Sequence, residues 1–166
     1  APGAALILVG ETRGWLGASA YLRDVLGREE GAPPPVDLGA ERRNGEFVLT
    51  LIAARWLDAC HDLSDGGLAI AAAEMALAGN TGCRLAAPPN GLAAEAWLFG
   101  EDQARYLVAA RQPDLVLAAA AVRGVPAAIV GAATADRALT LPGGNPISLA
   151  DLSRANEAWL PEFMAG

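Results

Sequence analysis

The stretch HDLSDGGLAIAAAEMALAG, residues 61–79, joins a polar run to an alanine-rich apolar segment and decides the fold at the centre of the chain. Within its apolar part, Leu68–Ala78, only Glu74 is charged, which predicts a helix buried between two layers. Ser64 or Asp65 is expected to cap this helix, because either side chain can accept hydrogen bonds from the first free N–H groups.

The polar run itself, residues 61–67, also has the composition of a ligand-binding turn. Gly66 and Gly67 leave backbone N–H groups uncovered at a helix N-terminus, where the unpaired donors and the helix dipole attract an anion. Asp62 and Asp65 would repel a bare phosphate, but they suit a divalent metal ion that bridges them to it. The residues therefore leave two interpretations open, a helix cap or a ligand-facing turn.

The composition favours a folded, acidic domain. Hydrophobic residues make up 53% and charged residues 19%, so the chain can bury a sizeable core. The formal net charge is −7, which argues against nonspecific binding of nucleic acid, since that needs a basic surface. Lysine is absent, which excludes a lysine nucleophile or Schiff base within these residues. No apolar run reaches the ~18 residues that a membrane span requires.

The sulfur and imidazole groups are few. Cys60 and Cys83 are the only cysteines, too few for a disulfide framework, and with His61 they do not make a zinc site. We expect reduced cysteines in a cytoplasmic protein. His61 could in principle act as a general base, but we expect a structural histidine that is hydrogen-bonded within the polar run.

Strand and helix patterns alternate along the chain without a strict β-α-β rhythm, which predicts an α/β sandwich with a mixed sheet. We expect one domain over residues 1–166, and the start at Ala1 suggests a piece of a longer polypeptide. Arg28–Pro35, which ends in three prolines, is expected to be an exposed, mobile loop. The predicted strands are Ala4–Val9, Ala59–Leu63, Cys83–Leu85, Arg105–Ala110, Ala127–Val130 and Ala138–Leu141. The predicted helices are Leu16–Leu26, Val36–Trp56 with Asp37 as cap, Leu68–Ala78, Ala93–Leu98, Pro113–Arg123 and a last one that Ser148 caps and that runs to about Leu160.

Three motifs carry a family resemblance. They are Gly10-Glu11-Thr12 with Leu16-Gly17-Ala18-Ser19, then residues 61–79, then Leu98-Phe99-Gly100-Glu101-Asp102-Gln103-Ala104-Arg105. In this order they resemble the C-terminal half of the aminoimidazole ribonucleotide synthetase superfamily. The chain departs from the family pattern at Ala18, where the family tends to have glycine, and at Asp102, where it tends to have serine.

The resemblance implies a layered α/β domain with a mixed sheet, which packs against a separate N-terminal domain that brings much of the catalytic machinery. The likeness is greatest to the final domain of the superfamily's amidine-forming synthetase of purine biosynthesis. That enzyme uses ATP, Mg²⁺ and glutamine-derived ammonia to convert a formylglycinamide ribonucleotide into the amidine. The implied partners are the missing N-terminal domains, a glutaminase subunit and a small accessory subunit, with no nucleic acid and no membrane.

The resemblance also implies where a ligand would bind. In the first of the family's two homologous halves the Glu-Ser-Gln positions contact substrate, whereas this chain matches the second half, which resembles an auxiliary nucleotide site. No residue here is expected to be catalytic, and a solvated strand entry stays the alternative for residues 101–103. The expected nucleotide- or substrate-binding residues are Ser64, Gly66, Gly67, Glu101, Asp102 and Gln103, and the expected metal ligands are Asp62 and Asp65.

Other functions remain open at this point. Selenophosphate synthetase, thiamine-phosphate kinase and the hydrogenase-maturation dehydratase belong to the same superfamily, although the Gly-Glu-Thr and Leu-Phe-Gly-Glu contexts disfavour them. A binding module that has lost catalysis and only senses a nucleotide is the alternative from a different class.

Overall fold

A computed structural model describes residues 1–89 and 91–165, which form one mixed sheet with helices on both faces. The strands are β1 (Ala5–Val9), β2 (Ala59–Asp62), β3 (Gly82–Leu85), β4 (Tyr106–Ala110), β5 (Ala127–Thr134), β6 (Ala138–Thr140) and β7 (Ile147–Ser148). The helices are α1 (Leu38–Ala53), α2 (Gly67–Gly79), α3 (Ala94–Phe99), α4 (Pro113–Val122) and α5 (Leu149–Ala165).

The sheet has the strand order β2-β4-β1-β5-β3-β6-β7. Its neighbouring strands are antiparallel, except β3 and β6, which run parallel with Cys83 opposite Leu139. The predicted mixed sheet is therefore confirmed. β1 pairs with β4 on one edge and with β5 on the other. Residues of β1 are buried on both faces of the sheet, which accounts for its continuous apolar sequence.

The alternation of side chains along β1 divides the core into two clusters. Leu6 and Leu8 lie in a cluster with the buried residues of α2 and α3, whereas Ile7 and Val9 lie with those of α1 and α4. The sheet is thus sandwiched between two helical layers. The buried residues of α2 confirm that this helix lies in the core; they are Gly67, Leu68, Ala69, Ala71, Ala72, Ala73 and Ala76.

Two predicted helix caps are confirmed. Asp37 Oδ1 accepts hydrogen bonds from the N–H groups of Gly39 and Ala40 at 2.9 and 3.0 Å, and α1 begins at the next residue. Ser148 Oγ accepts one from the N–H of Asp151 at 3.1 Å, at the start of α5. Across the described residues, no helix combines the length and the apolar character needed to span a bilayer.

The predicted helix over Leu16–Leu26 is wrong. Only Tyr21–Val25 forms a helical turn, of the wide π type, and none of its residues is buried. The physical reason is that Ala18 adopts a left-handed φ of 56°, which a right-handed helix cannot contain, so helical structure begins only after it, and the short turn that remains buries none of its residues.

The proline-rich loop is exposed, as predicted, but it has fixed contacts at two points. The N–H of Ala18 donates to the Glu30 carbonyl at 2.9 Å, and the indole Nε1–H of Trp15 donates to the Ala32 carbonyl at 2.7 Å. These bonds tie the loop to the segment after β1. The mobility of the loop stays a prediction.

Candidate functional site

The polar run leaves the end of β2 and turns into α2. Ser64 and Asp65 are exposed, whereas Gly66 and Gly67 are buried with left-handed φ angles of 75° and 61°. A Cβ on Gly67 would lie 2.4 Å from the Gly100 carbonyl oxygen, so only glycine fits here. The run is therefore pressed against the segment that follows α3.

The cap of α2 comes from a distant residue. Gly66 occupies the cap position, and its N–H donates to Glu101 Oε1 at 2.8 Å. The prediction that Ser64 or Asp65 caps α2 is wrong, because the left-handed Gly66 at the cap position carries no side chain and no local side chain takes its place. The prediction that Gly66 and Gly67 leave uncovered N–H groups is wrong as well, because the N–H of Gly66 is taken by Glu101 and that of Gly67 donates to the Ser64 carbonyl at 3.1 Å.

Glu101 joins two of the three motifs. Besides Gly66, its Oε1 accepts a hydrogen bond from the N–H of Ala20 at 2.8 Å, and only 9% of the residue is exposed. One carboxylate oxygen thus satisfies two backbone donors from segments that are far apart in sequence. A charged acceptor in such a position makes stronger hydrogen bonds than a neutral one.

Asp102, like Glu101, accepts hydrogen bonds from the backbone of a distant segment. Its Oδ2 accepts hydrogen bonds from the N–H groups of Gly14 and Trp15 at 2.9 and 3.4 Å. It therefore holds the segment that follows β1. The alternative of a solvated strand entry does not describe Glu101 and Asp102, which are both buried.

Arg105 is the buried cation of this region, with 1% of its surface exposed. Its guanidinium donates to the carbonyls of Asp102 and Gly100 at 2.9 and 2.5 Å and to the Thr12 hydroxyl at 3.1 Å. Burial lowers the pKa of Arg105, while the carboxylates of Asp102 and Glu101 oppose that shift. Arg105 belongs to the third sequence motif, but nothing in the sequence around it predicts that this arginine is buried.

Ala104 shows a second contact that sequence reasoning missed. Its N–H donates to Glu41 Oε1 at 2.8 Å, and its carbonyl accepts a hydrogen bond from Asn44 Nδ2 at 2.9 Å. Both partners lie on α1. Asn44 Oδ1 is buried without a hydrogen-bond partner among the described residues.

Gln103 differs from its two neighbours because it is exposed. It lies on a cleft of about 220 Å³ between the start of α1 and the segment after β1, which Arg43 and Asn44 also line. Glu11 on this cleft pairs with Arg13 at 2.8 Å. Asp102 also lines this cleft but is only 8% exposed, so Gln103 is the most accessible of residues 101–103 to a ligand.

The part of the chain that contains the three motifs matches a known protein family. A sequence model described as AIR synthase related protein, C-terminal domain, matches residues 1–143. The chain belongs to this family. Among curated relatives, the phosphoribosylformylglycinamidine synthase subunit PurL of Rhodopseudomonas palustris (strain HaA2) is 52% identical over 168 residues, which cover 100% of this chain and 23% of the relative. The PurL subunit of Methylocella silvestris is 56% identical over 165 residues, which cover 98% and 22%. The chain spans about a quarter of the length of these relatives.

Solved structures show the same fold as this AIR synthase related domain. Thermotoga maritima PurL complexed with FGAR matches with a TM-score of 0.75 at 19% identity, over 92% of this chain and 28% of that one. The Escherichia coli hydrogenase maturation protein HypE matches with a TM-score of 0.57 at 24% identity, over 90% and 50%. The expected α/β fold class is therefore confirmed.

The carboxylates predicted to hold a metal ion lie on the outer side of this AIR synthase related domain. The side chain of Asp62 is 71% exposed, and Asp65 is exposed as well. Over residues 1–89 and 91–165, no group of three or more His, Cys, Asp and Glu side chains could hold a metal ion. In proteins Mg²⁺ is usually held by one or two carboxylates, with substrate phosphates and water completing its shell, so a role for Asp62 and Asp65 in holding it stays a prediction.

Both ring nitrogens of His61 lie close to an oxygen atom. Its Nδ1 lies 2.6 Å from the Asp62 carbonyl, and its Nε2 lies 2.9 Å from Glu74 Oε2 on α2. The imidazole therefore links β2 to the helix that follows it, and a structural role for His61 stays a prediction.

Proposed function

We propose that the chain is the AIR synthase related C-terminal domain of a phosphoribosylformylglycinamidine synthase subunit, and that residues 1–166 form a single domain of that longer enzyme. The observation that carries the proposal is identity of 50% or more with several PurL subunits over 98–100% of the chain. The enzyme belongs to the cytoplasm in this proposal.

The reaction proposed for the whole enzyme is ATP-dependent formation of a C–N bond. The amide oxygen of formylglycinamide ribonucleotide takes the terminal phosphoryl group of ATP, and ammonia then displaces phosphate to leave the amidine. The negative charge that develops needs Mg²⁺ and positioned donors. ATP as the nucleotide agrees with the T. maritima PurL structures complexed with ATP and with ADP, which share the fold of this chain at 17% identity.

The role of this domain in the proposal is structural and auxiliary. It contributes no catalytic residue, and it lines a secondary nucleotide pocket with Ser64, Gly66, Gly67, Glu101, Asp102 and Gln103. Asp62 and Asp65 would hold Mg²⁺ there, where its charge would balance that of the phosphates. The exposure of Ser64, Asp65 and Gln103 supports direct contact, whereas Glu101 and Asp102 act from beneath through the backbone N–H groups that they bind.

The proposed partners are the N-terminal domains of the same enzyme, a glutaminase subunit that supplies ammonia and a small accessory subunit. Support comes from the structure of PurLQS from T. maritima, which matches with a TM-score of 0.68 at 18% identity over 92% of this chain and 26% of that one.

A domain exchange tests the proposal. The 168 matching residues of the R. palustris (strain HaA2) PurL subunit are replaced by this chain, and ADP release is measured with formylglycinamide ribonucleotide, ATP and ammonia. We expect activity within about tenfold of the parent, which corresponds to a change of about 1.4 kcal/mol in the activation free energy. The matching domain of HypE serves as the control exchange, for which we expect no activity.

Two results would contradict the assignment. One is a folded chimera without activity, judged by circular dichroism and a cooperative melt. The other is turnover by the 166-residue chain alone at a rate near that of a complete enzyme, because the domain is proposed to lack catalytic residues.

A further inference from the structure

Ala104 has an unusual backbone for its residue type. Its φ is +60°, in the left-handed region that residues with a Cβ rarely adopt, and only 8% of it is exposed. It stands directly after residues 101–103, here called the EDQ segment, and just before β4. A left-handed residue at this point sets the direction in which the EDQ segment leaves the strand.

Two side chains of α1 hold the peptide groups of Ala104. Glu41 accepts the Ala104 N–H at 2.8 Å, and Asn44 donates to the Ala104 carbonyl at 2.9 Å. They lie three residues apart, on one face of the helix. The orientation of the Asn44 amide is fixed, because a carbonyl oxygen can only accept, so the nitrogen of the amide must face it.

The position of Ala104 is also restricted from the opposite side. A Cβ on Gly10 would lie 2.4 Å from the Ala104 carbonyl oxygen, so the strand end at Gly10 packs closely on this peptide. The Ala104 carbonyl thus lies against Gly10 and accepts the Asn44 hydrogen bond. Loss of that bond would leave a buried carbonyl without a partner, which proteins avoid.

We propose that Glu41 and Asn44 are positioning residues, which hold Ala104 in its left-handed conformation and so fix the EDQ segment for ligand binding. The ligand part rests on the proposed function, in which the segment lines a nucleotide pocket. The segment needs such support, because Glu101 must reach Gly66 and Asp102 must reach Gly14 while Gln103 stays exposed at the cleft.

The test uses variants of the 166-residue chain. Glu41→Leu removes the acceptor, and Asn44→Leu removes the donor. Glu41→Gln keeps an acceptor oxygen. Glu46→Leu is the matched control, because Glu46 lies on the same helix but pairs with Arg42 at 2.8 Å on the exposed side. Two readouts are taken: the ¹³C chemical shifts of Ala104, which report its φ, and the affinity for ADP with Mg²⁺ by calorimetry.

Glu41→Leu and Asn44→Leu are expected to move the Ala104 shifts out of the left-handed range. They should weaken ADP binding about five- to thirty-fold, the factor that matches the usual cost of a left-handed residue with a Cβ. Glu46→Leu and Glu41→Gln should stay within about twofold of the wild type. Adding Ala104→Gly to Glu41→Leu should restore most of the affinity, because glycine adopts this conformation without the cost.

The outcomes separate the two proposals. If the wild type binds no ADP, the proposed nucleotide role fails, and the Ala104 shifts alone decide the positioning role. Left-handed shifts that persist in both leucine variants overturn the positioning role. So does wild-type ADP affinity in those variants, or a failure of Ala104→Gly to restore it, since a general loss of stability would not respond to a change of backbone preference at one residue.

Discussion

Glu101 Oε1 lies 2.8 Å from the backbone nitrogen of Gly66, and 35 residues separate the two in sequence. The same oxygen accepts the N–H of Ala20 at 2.8 Å. A single carboxylate therefore replaces the local cap of α2 and anchors the segment after β1. The Gly-Gly turn and the Leu-Phe-Gly-Glu motif are thus joined directly by this carboxylate.

Glu101→Ala should lower the free energy of unfolding by about 2–5 kcal/mol, because it leaves two backbone N–H groups without their acceptor. Glu101→Gln keeps a carbonyl oxygen and should cost about 1 kcal/mol. Denaturant titration of both variants measures the difference. Glu29→Ala, at an exposed loop position, is the control and should stay within about 0.5 kcal/mol of the wild type. Equal stability of Glu101→Ala and wild type would show that the long-range cap contributes nothing.

Elements whose signals are local could be predicted from the sequence. β1 follows from a continuous apolar run, and α1 from an Asp37 cap followed by a helical stripe that places Phe47 and Leu51 in the core. The short strand β7 was missed, since Ile147–Ser148 gives only two residues and no pattern. In general, the spacing of apolar residues along the chain shows which face of a helix or strand is buried, provided that the element is long enough to show a period.

The contacts that build the candidate site could not be predicted in the same way. Nothing near Gly66 shows that its partner is Glu101, and nothing in the letters around Arg105 shows that this arginine is buried. Ala104 is a residue type with no preference for a left-handed backbone, so its conformation follows from tertiary contacts alone. The motifs identified segments that contact one another in the fold, but the division into buried anchors and exposed Gln103 needed the structure.

The buried Cys83 thiol should make stability depend on alkaline pH. Burial raises the pKa of Cys83 from about 9 to about 11, and Asp136 adds to the shift. Because the folded pKa lies above the unfolded one, the stabilising contribution is complete below pH 9 and is lost as the pH rises toward 11. The free energy of unfolding should fall over this window by an amount on the order of 1–3 kcal/mol.

Cys83→Ala should remove this part of the pH slope, which urea titrations from pH 8 to 11 can measure. Cys60→Ala is the comparison: burial and then Asp62 raise the pKa of Cys60 too, but by less than that of Cys83, because the residue is exposed in the fold, so Cys60→Ala should change the slope less. If the free energy of unfolding of wild type and of Cys83→Ala changes equally with pH, the thiol ionises as readily in the folded as in the unfolded chain.

A charge in the buried face of α2 should be strongly destabilising. Ala72 is 1% exposed and lies in the core cluster with Leu68. Ala72→Asp would bury a carboxylate without a partner and should cost several kcal/mol, on the order of 3–5 kcal/mol. Ala78→Asp, at an exposed position of the same helix, should cost about 0.5 kcal/mol. Similar denaturation midpoints for the two variants would place Ala72 at the surface.

The exposed carboxylate of Asp65 allows a direct test of the proposed Mg²⁺ and nucleotide site. Binding of ADP to the 166-residue chain should require Mg²⁺, because the acidic polar run repels phosphate unless a cation lies between them. Asp65→Asn should weaken binding in Mg²⁺ about tenfold, the effect of losing roughly 1.4 kcal/mol of charge interaction. The variant should fold normally, since Gly66 and Glu101, not Asp65, form the cap of α2.

Calorimetry with ADP, with and without Mg²⁺, on wild type, Asp65→Asn and Asp114→Asn measures this effect. Asp114 is an exposed carboxylate in the first turn of α4, outside the proposed site, so its variant should bind ADP as the wild type does. Equal ADP affinity of wild type and Asp65→Asn at both Mg²⁺ conditions would reduce the polar run to a turn that positions α2, and the anion would then have to bind at the cleft lined by Gln103 and Arg43.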